Sequence, residues 1–232
     1  MGKLILIRHG ESVWNTRSIF TGWIDIPLTQ SGIIEAAKAG NVIAGIDIDV
    51  VYTSALVRAM QTSLIVLLGA QQKRTPYMIH GFFDRHHTRY HKINKEIADN
   101  MIPVYRCWQL NERYYGDLQG YSKSRIAELF GVEKVLNWRR GYNARPPKGE
   151  SLHQTARRTM PFFNRCIMAQ LRAGKNVLIS AHSNSLRSII MHLDNLTEEQ
   201  VVGLEIDTAN PIVYNFDGKN MEREHLNVTR PI

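Results

Sequence analysis

Cysteine is scarce, with two residues in 232, Cys107 and Cys166, and they form no Cys-x-x-Cys pair. That excludes a disulfide framework and a zinc ribbon, and suits a reducing compartment. Long apolar runs are missing too. The longest, Leu64 to Leu68, stops at Gly69, far short of the ~20 residues that cross a bilayer. The apolar start Leu4-Ile5-Leu6-Ile7 meets Arg8-His9 directly, with no small-residue cleavage site, and Leu6 stands where a myristoylation motif wants Ser or Thr. We therefore expect a cytoplasmic protein with no membrane partner.

Contiguous basic runs are also lacking, although the formal net charge is +8. Arg8, Arg58, Arg113, Arg139-Arg140, Arg157-Arg158 and Arg187 are scattered, and no homeodomain, zinc finger or RRM signature accompanies them. A nucleic-acid partner is not expected; arginines converging on a small anion explain the charge better. No internal repeat or low-complexity tract occurs, and 44% hydrophobic with 22% charged residues describes a globular chain able to bury a core.

The patterning alternates. Lys3 to Ile7 and Asp49 to Thr53 read as buried strands, Ile33 to Ala39 as a helix, and Ser54 as the cap of a helix from Ala55 to Leu68. Weaker strands are predicted near Tyr77 to Ile79 and Val104 to Leu110. Helices follow over Ser122 to Phe130, Glu133 to Arg140, and Ser151 to Arg172 with Pro161 as a kink or break. Asn176 to Ser180 is the clearest late strand, followed by a helix Leu186 to Leu193, a capping box at Thr197 to Gln200 and a last strand Ile212 to Phe216. The expected class is α/β: three layers, a mostly parallel central sheet flanked by helices, in one domain over 1–232.

In such sheets ligands sit at the carboxyl ends of strands. Two histidines stand there, in Leu6-Ile7-Arg8-His9-Gly10 and Leu178-Ile179-Ser180-Ala181-His182. Either alone is more readily a hydrogen-bonded structural residue than a catalyst. A neutral imidazole nitrogen, however, is a nucleophile toward phosphorus, and arginine forks suit the phosphoryl oxygens. Arg8 adjoins His9, Arg58 is expected in the second turn of its helix, Gly10 allows close backbone approach, and Ser12 and Asn15 add neutral donors.

A longer series of blocks is more specific. Arg8-His9-Gly10-Glu11-Ser12-x-Trp14-Asn15, Phe20-Thr21-Gly22-Trp23 and Thr53-Ser54-x-Leu56-x-Arg58-Ala59 are followed by Leu110-Asn111-Glu112-Arg113-x-Tyr115-Gly116-Asp117-Leu118-Gln119-Gly120. Lys123, Trp138-Arg139-Arg140, Pro146-Pro147, Gly149-Glu150-Ser151-Leu152, Ala181-His182-x-Asn184-Ser185-Leu186-Arg187 and Pro211-Ile212-Val213-Tyr214 complete it. Over nearly its whole length the chain resembles the 2,3-bisphosphoglycerate-dependent phosphoglycerate mutase family of the histidine phosphatase superfamily, and its fold is expected to be phosphoglycerate mutase-like.

The resemblance implies that His9 takes the phosphoryl group, that Arg8, Arg58, Asn15 and His182 stabilise it in flight, and that Glu112 is the general acid and base. His182 is then a charged or donating partner, or simply structural. Read without the family, Glu112 is more readily a surface ion-pair partner of Arg113. Thr21, Gly22, Arg113, Tyr115, Lys123, Arg139 and Arg140 correspond to residues gripping the substrate carboxylate and second phosphate, with Ser183 and Asn184 beside them; Arg139-Arg140 alone would read as a solvated helix end. The implied reaction interconverts 3-phosphoglycerate and 2-phosphoglycerate through phospho-His9 and 2,3-bisphosphoglycerate, which also serves as primer. No metal is implied. Ser12, where the bisphosphoglycerate synthase branch tends to carry Gly, favours a mutase, and a homo-oligomer, first of all a dimer, is the expected assembly.

The chain departs from the pattern in places. Ser183 replaces a usual Gly, which costs on the order of 1 kcal/mol only if φ there is positive, and Ala209-Asn210 replaces a usual Gly-Ile. The stretch from Tyr142 to Gly149 is short, which would let intermediate escape and favour phosphatase leakage. An insertion is expected around 69–102, with His80, His86, His87 and His91. His87 and His91 would share a helical face, but no carboxylate or cysteine completes an obvious metal set, and a surface insertion at a subunit contact is the preferred reading.

Overall fold

The computed structural model describes residues 1–79 and 99–224. Strand β1 (Gly2–Arg8) leads through a short helical turn α1 (Val13–Thr16) to α2 (Gln30–Val42), β2 (Val50–Thr53), α3 (Val57–Gly69), β3 (Thr75–Ile79) and β4 (Met101–Arg106). Next come α4 (Lys123–Phe130), α5 (Val132–Arg140) and α6 (Leu152–Phe162), which passes through a π-turn Phe163–Ile167 into α7 (Met168–Arg172). Strand β5 (Val177–Ala181), α8 (Ser183–Leu193), α9 (Glu198–Gly203), β6 (Ile212–Phe216) and β7 (Met221–Glu224) close the chain.

The strands form one sheet in the order β3-β4-β2-β5-β1-β6-β7. The four pairings from β3 to β1 are parallel; β1–β6 and β6–β7 are antiparallel. The expected mostly parallel sheet is found. β7, whose Met-Glu-Arg-Glu sequence carries no apolar alternation, was not predicted.

Burial on both faces explains the continuous apolar run of β1. Leu4 and Leu6 enter the core on one side with Phe163, Leu186 and Ile189, while Ile5 and Ile7 enter the other with Ala36, Ile43 and Val66. All four are fully buried, and each such side chain stabilises the fold by about 1.5–3 kcal/mol. A strand so anchored is a rigid mount for the Arg8-His9 junction at its end.

Several expected boundaries move. The helix after β2 begins at Val57 with Leu56 at its N-cap. Ser54 therefore does not cap it as the primary side chain, and Arg58 lies in the first turn, not the second. The strand expected to reach Leu110 ends at Arg106, and Trp108–Leu110 is a 3₁₀ turn. Pro161 does not break its helix; the backbone widens into the π-turn just after it. The helix after β5 starts at Ser183, three residues early, because His182 already has extended backbone and its N–H is accepted by the Ser185 hydroxyl. Of the expected insertion, Thr75–Ile79 adds an edge strand parallel to β4, whereas His80, His86, His87 and His91 lie outside the described residues.

Candidate active site

His9 and His182 meet because β1 and β5 are in register. Arg8 pairs with Ala181, the His9 amide donates to the Ala181 carbonyl at 3.0 Å, and the two rings lie 4.9 Å apart between centroids. His9 Nδ1 is 2.7 Å from the Gly10 carbonyl oxygen. A carbonyl only accepts, so the proton is on Nδ1 and Nε2 carries the lone pair. Burial above all, then the charges of Arg58 and Arg8, pull the His9 pKa well below 6.5. The ring is a neutral, oriented nucleophile.

His182 is fully buried, and its Nε2 is 2.7 Å from the Ser54 hydroxyl. Its pKa is likewise driven well below 6.5, by burial first and Arg58 next. The expected charged partner is therefore neutral in the free protein. It does not line the cleft; it backs His9 from behind.

In front of His9 lies an open cleft with a volume of about 170 Å³. Six cations border it, Arg8, Arg58, Lys123, Arg139, Arg140 and Arg187, against two carboxylates, Glu112 and Glu205. Asn15, Thr21, Gly22, Tyr115, Ser183 and Asn184 also border it. Of the expected site residues, the structure brings fourteen to the cleft wall or, for His182, directly behind it; Ser12 and Arg113 are set back.

Ser12 is buried, and its backbone N–H and hydroxyl both donate to Asn15 Oδ1, at 2.9 and 2.8 Å. Ser12 thus occupies the amide oxygen of Asn15 and leaves the NH₂ as that side chain's free group. Arg113 is also fully buried; it donates to the Arg139 carbonyl and lies over the Tyr115 ring, 5.3 Å from its centroid. It supports two cleft residues from beneath. Gly10 differs from expectation as well: a Cβ there would stand 2.4 Å from the Gly32 carbonyl oxygen of α2, so the close approach is to helix backbone.

Arg58 is almost fully buried and donates to the carbonyls of Gly22 and Ile24 at 2.8 and 3.0 Å. Burial pushes its pKa down to about 10, with Glu112 and Asp25 acting in opposition; it stays charged at neutral pH. Arg8 donates to the Ile206 carbonyl at 2.7 Å, and its Nε is buried without a partner among the described residues. Lys123, at the first turn of α4, has a pKa lowered by burial and by Arg139 and Arg8.

Glu112 does not form the surface ion pair with the Arg113 side chain. Its Oε1 accepts from the Arg113 amide at 2.7 Å, the Asn184 amide at 3.2 Å and the Asn184 Nδ2 at 2.8 Å. The carboxylate therefore sits at the N-terminus of α8, where helix dipole and free amides favour it. With Oε1 saturated, Oε2 is the oxygen left to carry a proton. Ser183 is the first residue of α8 and is not among the positive-φ residues, so Ser in place of Gly costs no backbone strain there.

Reasoning on the sequence did not place Arg187 and Glu205 in the site. Arg187, 4% exposed at its side chain, donates to the Leu204 carbonyl, and Glu205 is 2.5 Å from Arg140 and 3.9 Å from Arg187. Arg187 stands one turn beyond Ser183 in α8, a spacing that would have put both on one face had the helix start been read correctly.

A neutral histidine and a carboxylate bordering one cation-lined cleft are the arrangement of a phosphoryl-transfer site. The family model for the histidine phosphatase superfamily (branch 1) matches residues 4–80 and 86–229. The 2,3-bisphosphoglycerate-dependent phosphoglycerate mutase of Chlamydia felis is 49% identical over 223 residues, 96% of this chain and 97% of that protein. The chain belongs to the phosphoglycerate mutase family of the histidine phosphatase superfamily. A phosphoglycerate mutase of Arabidopsis thaliana is 48% identical over 95% of this chain and 66% of its own length. Among solved structures, a putative α-ribazole-5′-P phosphatase from Escherichia coli superposes with a TM-score of 0.72 at 24% identity, covering 97% of this chain and 96% of that one. At that identity the likeness concerns the fold.

Proposed function

We propose that this cleft interconverts 3-phosphoglycerate and 2-phosphoglycerate by way of a phosphorylated His9. The observation that carries the proposal is the Nδ1–H to Gly10 hydrogen bond, which aims an unprotonated Nε2 at the cleft. The His9 lone pair forms an N–P bond while the P–O bond to the leaving oxygen breaks, and Glu112 Oε2 gives that oxygen its proton. In the opposite direction Glu112 takes the proton of a substrate hydroxyl, whose oxygen displaces the imidazole from phosphorus. Arg8, Arg58 and the Asn15 amide surround the phosphoryl oxygens, where charge spreads in a loose transition state. Arg139, Arg140, Lys123, Thr21 and Tyr115 hold the rest of the polyanion.

Six cations against two carboxylates and the unpartnered Arg8 Nε fit a ligand with a carboxylate and two phosphates. When bound, 2,3-bisphosphoglycerate supplies the phosphoryl group that charges His9. An assay for 2-phosphoglycerate, run with and without added bisphosphate on wild type and His9→Ala, tests the reading. Isomerisation that needs both His9 and the bisphosphate is the expected result; isomerisation surviving His9→Ala would sink it. The competing reading is transfer to water, favoured by the short Tyr142 to Gly149 stretch, and the ratio of released phosphate to isomerised product measures it.

The enzyme works as a single unit over the whole chain, in the cytoplasm; no helix among the described residues is long and apolar enough to cross a membrane. A homodimer is part of the proposal. Among the described residues β3 is an edge strand of the sheet, and this position and the 80% exposure of Leu68 on α3 support a second copy there; sedimentation equilibrium tests it.

A further inference from the structure

Arg158 on α6, outside the cleft, is tied down on every side of its guanidinium. Its side chain is 9% exposed, and it lies over the Trp23 ring with its guanidinium carbon 5.5 Å from the centroid. Nε and Nη2 each stand 2.9 Å from an oxygen of Glu150 in a bidentate pair. Nη1 donates to the Gln109 carbonyl at 2.8 Å and Nη2 also to the Glu112 carbonyl at 2.9 Å. Glu150 is fixed in turn by the Tyr114 amide at 2.9 Å. Trp23 Nε1 donates to the same Glu112 carbonyl at 2.6 Å.

We infer that Arg158, held by Glu150, is a positioning residue that fixes the backbone of Glu112 so that its Oε2 faces the leaving oxygen. The segment from Gln109 to Glu112 leaves the sheet after β4, and among the described residues these two carbonyls have no ladder partner; besides Arg158, the Thr159 hydroxyl donates to the first at 3.0 Å and Trp23 to the second. One planar guanidinium, pre-aligned by a carboxylate, ties both, a task the single ammonium of lysine cannot reproduce. Beyond the adjacent Arg113 amide, the Glu112 side chain reaches across only to Asn184, so a tilt of its backbone moves the acid relative to His9, which is mounted separately on β1. A misplacement of about 1 Å costs on the order of 100-fold in such transfers. The inference rests on Glu112 being the general acid of the proposed reaction.

The test compares two phosphoryl donors in Arg158→Lys, Glu150→Gln and Glu112→Gln. A phosphoglycerate leaves as an alkoxide and needs the acid; p-nitrophenyl phosphate leaves as a stable phenolate and does not. We expect kcat for the phosphoglycerate to fall by about 10- to 100-fold in Arg158→Lys, with KM within about threefold. Labelling of His9 by p-nitrophenyl phosphate should hold within about threefold, and Glu150→Gln, the milder variant, should show the loss of kcat with its Tm within about 4 °C of wild type. Selective loss in Glu112→Gln but equal loss on both donors, or none, in the Arg158 and Glu150 variants would overturn the positioning role. Equal loss on both donors in Glu112→Gln would instead overturn the acid assignment and the inference with it.

Discussion

The imidazoles of His9 and His182 touch at 4.9 Å although 173 positions of sequence separate them, and the contact is fixed by two neighbouring parallel strands in register. Neither ring depends on a loop for its place. His9 faces the cleft and His182 backs it, with Ser54 holding the rear nitrogen. Two protonated rings at that distance beside Arg58 would repel, which is why burial and arginine both drive them neutral.

That neutrality has a pH signature. Both folded pKa values lie below the unfolded value near 6.5, so below about pH 6.5 the unfolded chain binds protons that the folded chain refuses. The contribution to stability is therefore complete above that pH and is lost as pH falls through the folded values. Thermal midpoints should drop between about pH 7 and about pH 5, and His182→Gln should flatten the slope. A midpoint that rises on acidification in that window would contradict the assignment. The acid limb of His9 labelling should likewise fall below the ordinary imidazole value.

Glu205 places a negative charge in an anion site. It is 2.5 Å from Arg140, yet 66% exposed, and the carboxyl is held below its ordinary range first by that hydrogen bond. Substrate must share Arg140 with it. Glu205→Gln should tighten phosphoglycerate binding, and because the pair is solvent-screened the gain is about 0.5–1 kcal/mol, roughly two- to fivefold in affinity. Isothermal titration in the His9→Ala background reads it without turnover. Weaker binding would mean that Glu205 serves to orient Arg140.

Gly32 sets how closely α2 approaches the loop after His9. A Cβ at that position would stand 2.1 Å from the Glu11 carbonyl oxygen, and one on Gly10 2.4 Å from that of Gly32. Alanine in a helix gains about 1 kcal/mol over glycine, but forcing backbone from backbone costs about 1–3 kcal/mol. Gly32→Ala should be destabilising by calorimetry and should lower kcat, since the displaced segment carries the Gly10 carbonyl that sets the His9 tautomer. An unchanged kcat would separate the packing from the chemistry.

Legibility in the sequence tracks the range of the forces involved. Apolar runs ending in histidine are local, and a strand buried on both faces announces itself, so β1, β5 and the His9 and His182 junctions were legible. The partners of Glu112 were not: adjacency suggested the Arg113 side chain, whereas Asn184 reaches it from 72 positions away. Nor does spacing say which arginines face a cleft. Arg113 is sealed under Tyr115 and Arg187 borders the cleft, because helix starts and loop paths that depend on tertiary packing decide it.

At position 209 two effects nearly cancel. Ala209 adopts φ +48, a left-handed conformation that costs an alanine about 1–2 kcal/mol. Its methyl, however, is 7% exposed within the core beside Ile5, Ile7 and Val213, a burial worth about 0.8 kcal/mol, and glycine loses about 0.4–1 kcal/mol more chain entropy on folding. Ala209→Gly should therefore shift stability by less than about 1 kcal/mol, or about 2–4 °C in Tm at most for a chain of this size. Ala209→Val adds a β-branch to the same left-handed backbone and should lower Tm by more than that. It should also weaken activity, because the Ala209 amide donates to the Arg8 carbonyl at 2.9 Å, and a shifted strand end carries Arg8 and His9 with it. Equal Tm values for the glycine and valine variants would show that this backbone is not strained, and that burial alone favours alanine there.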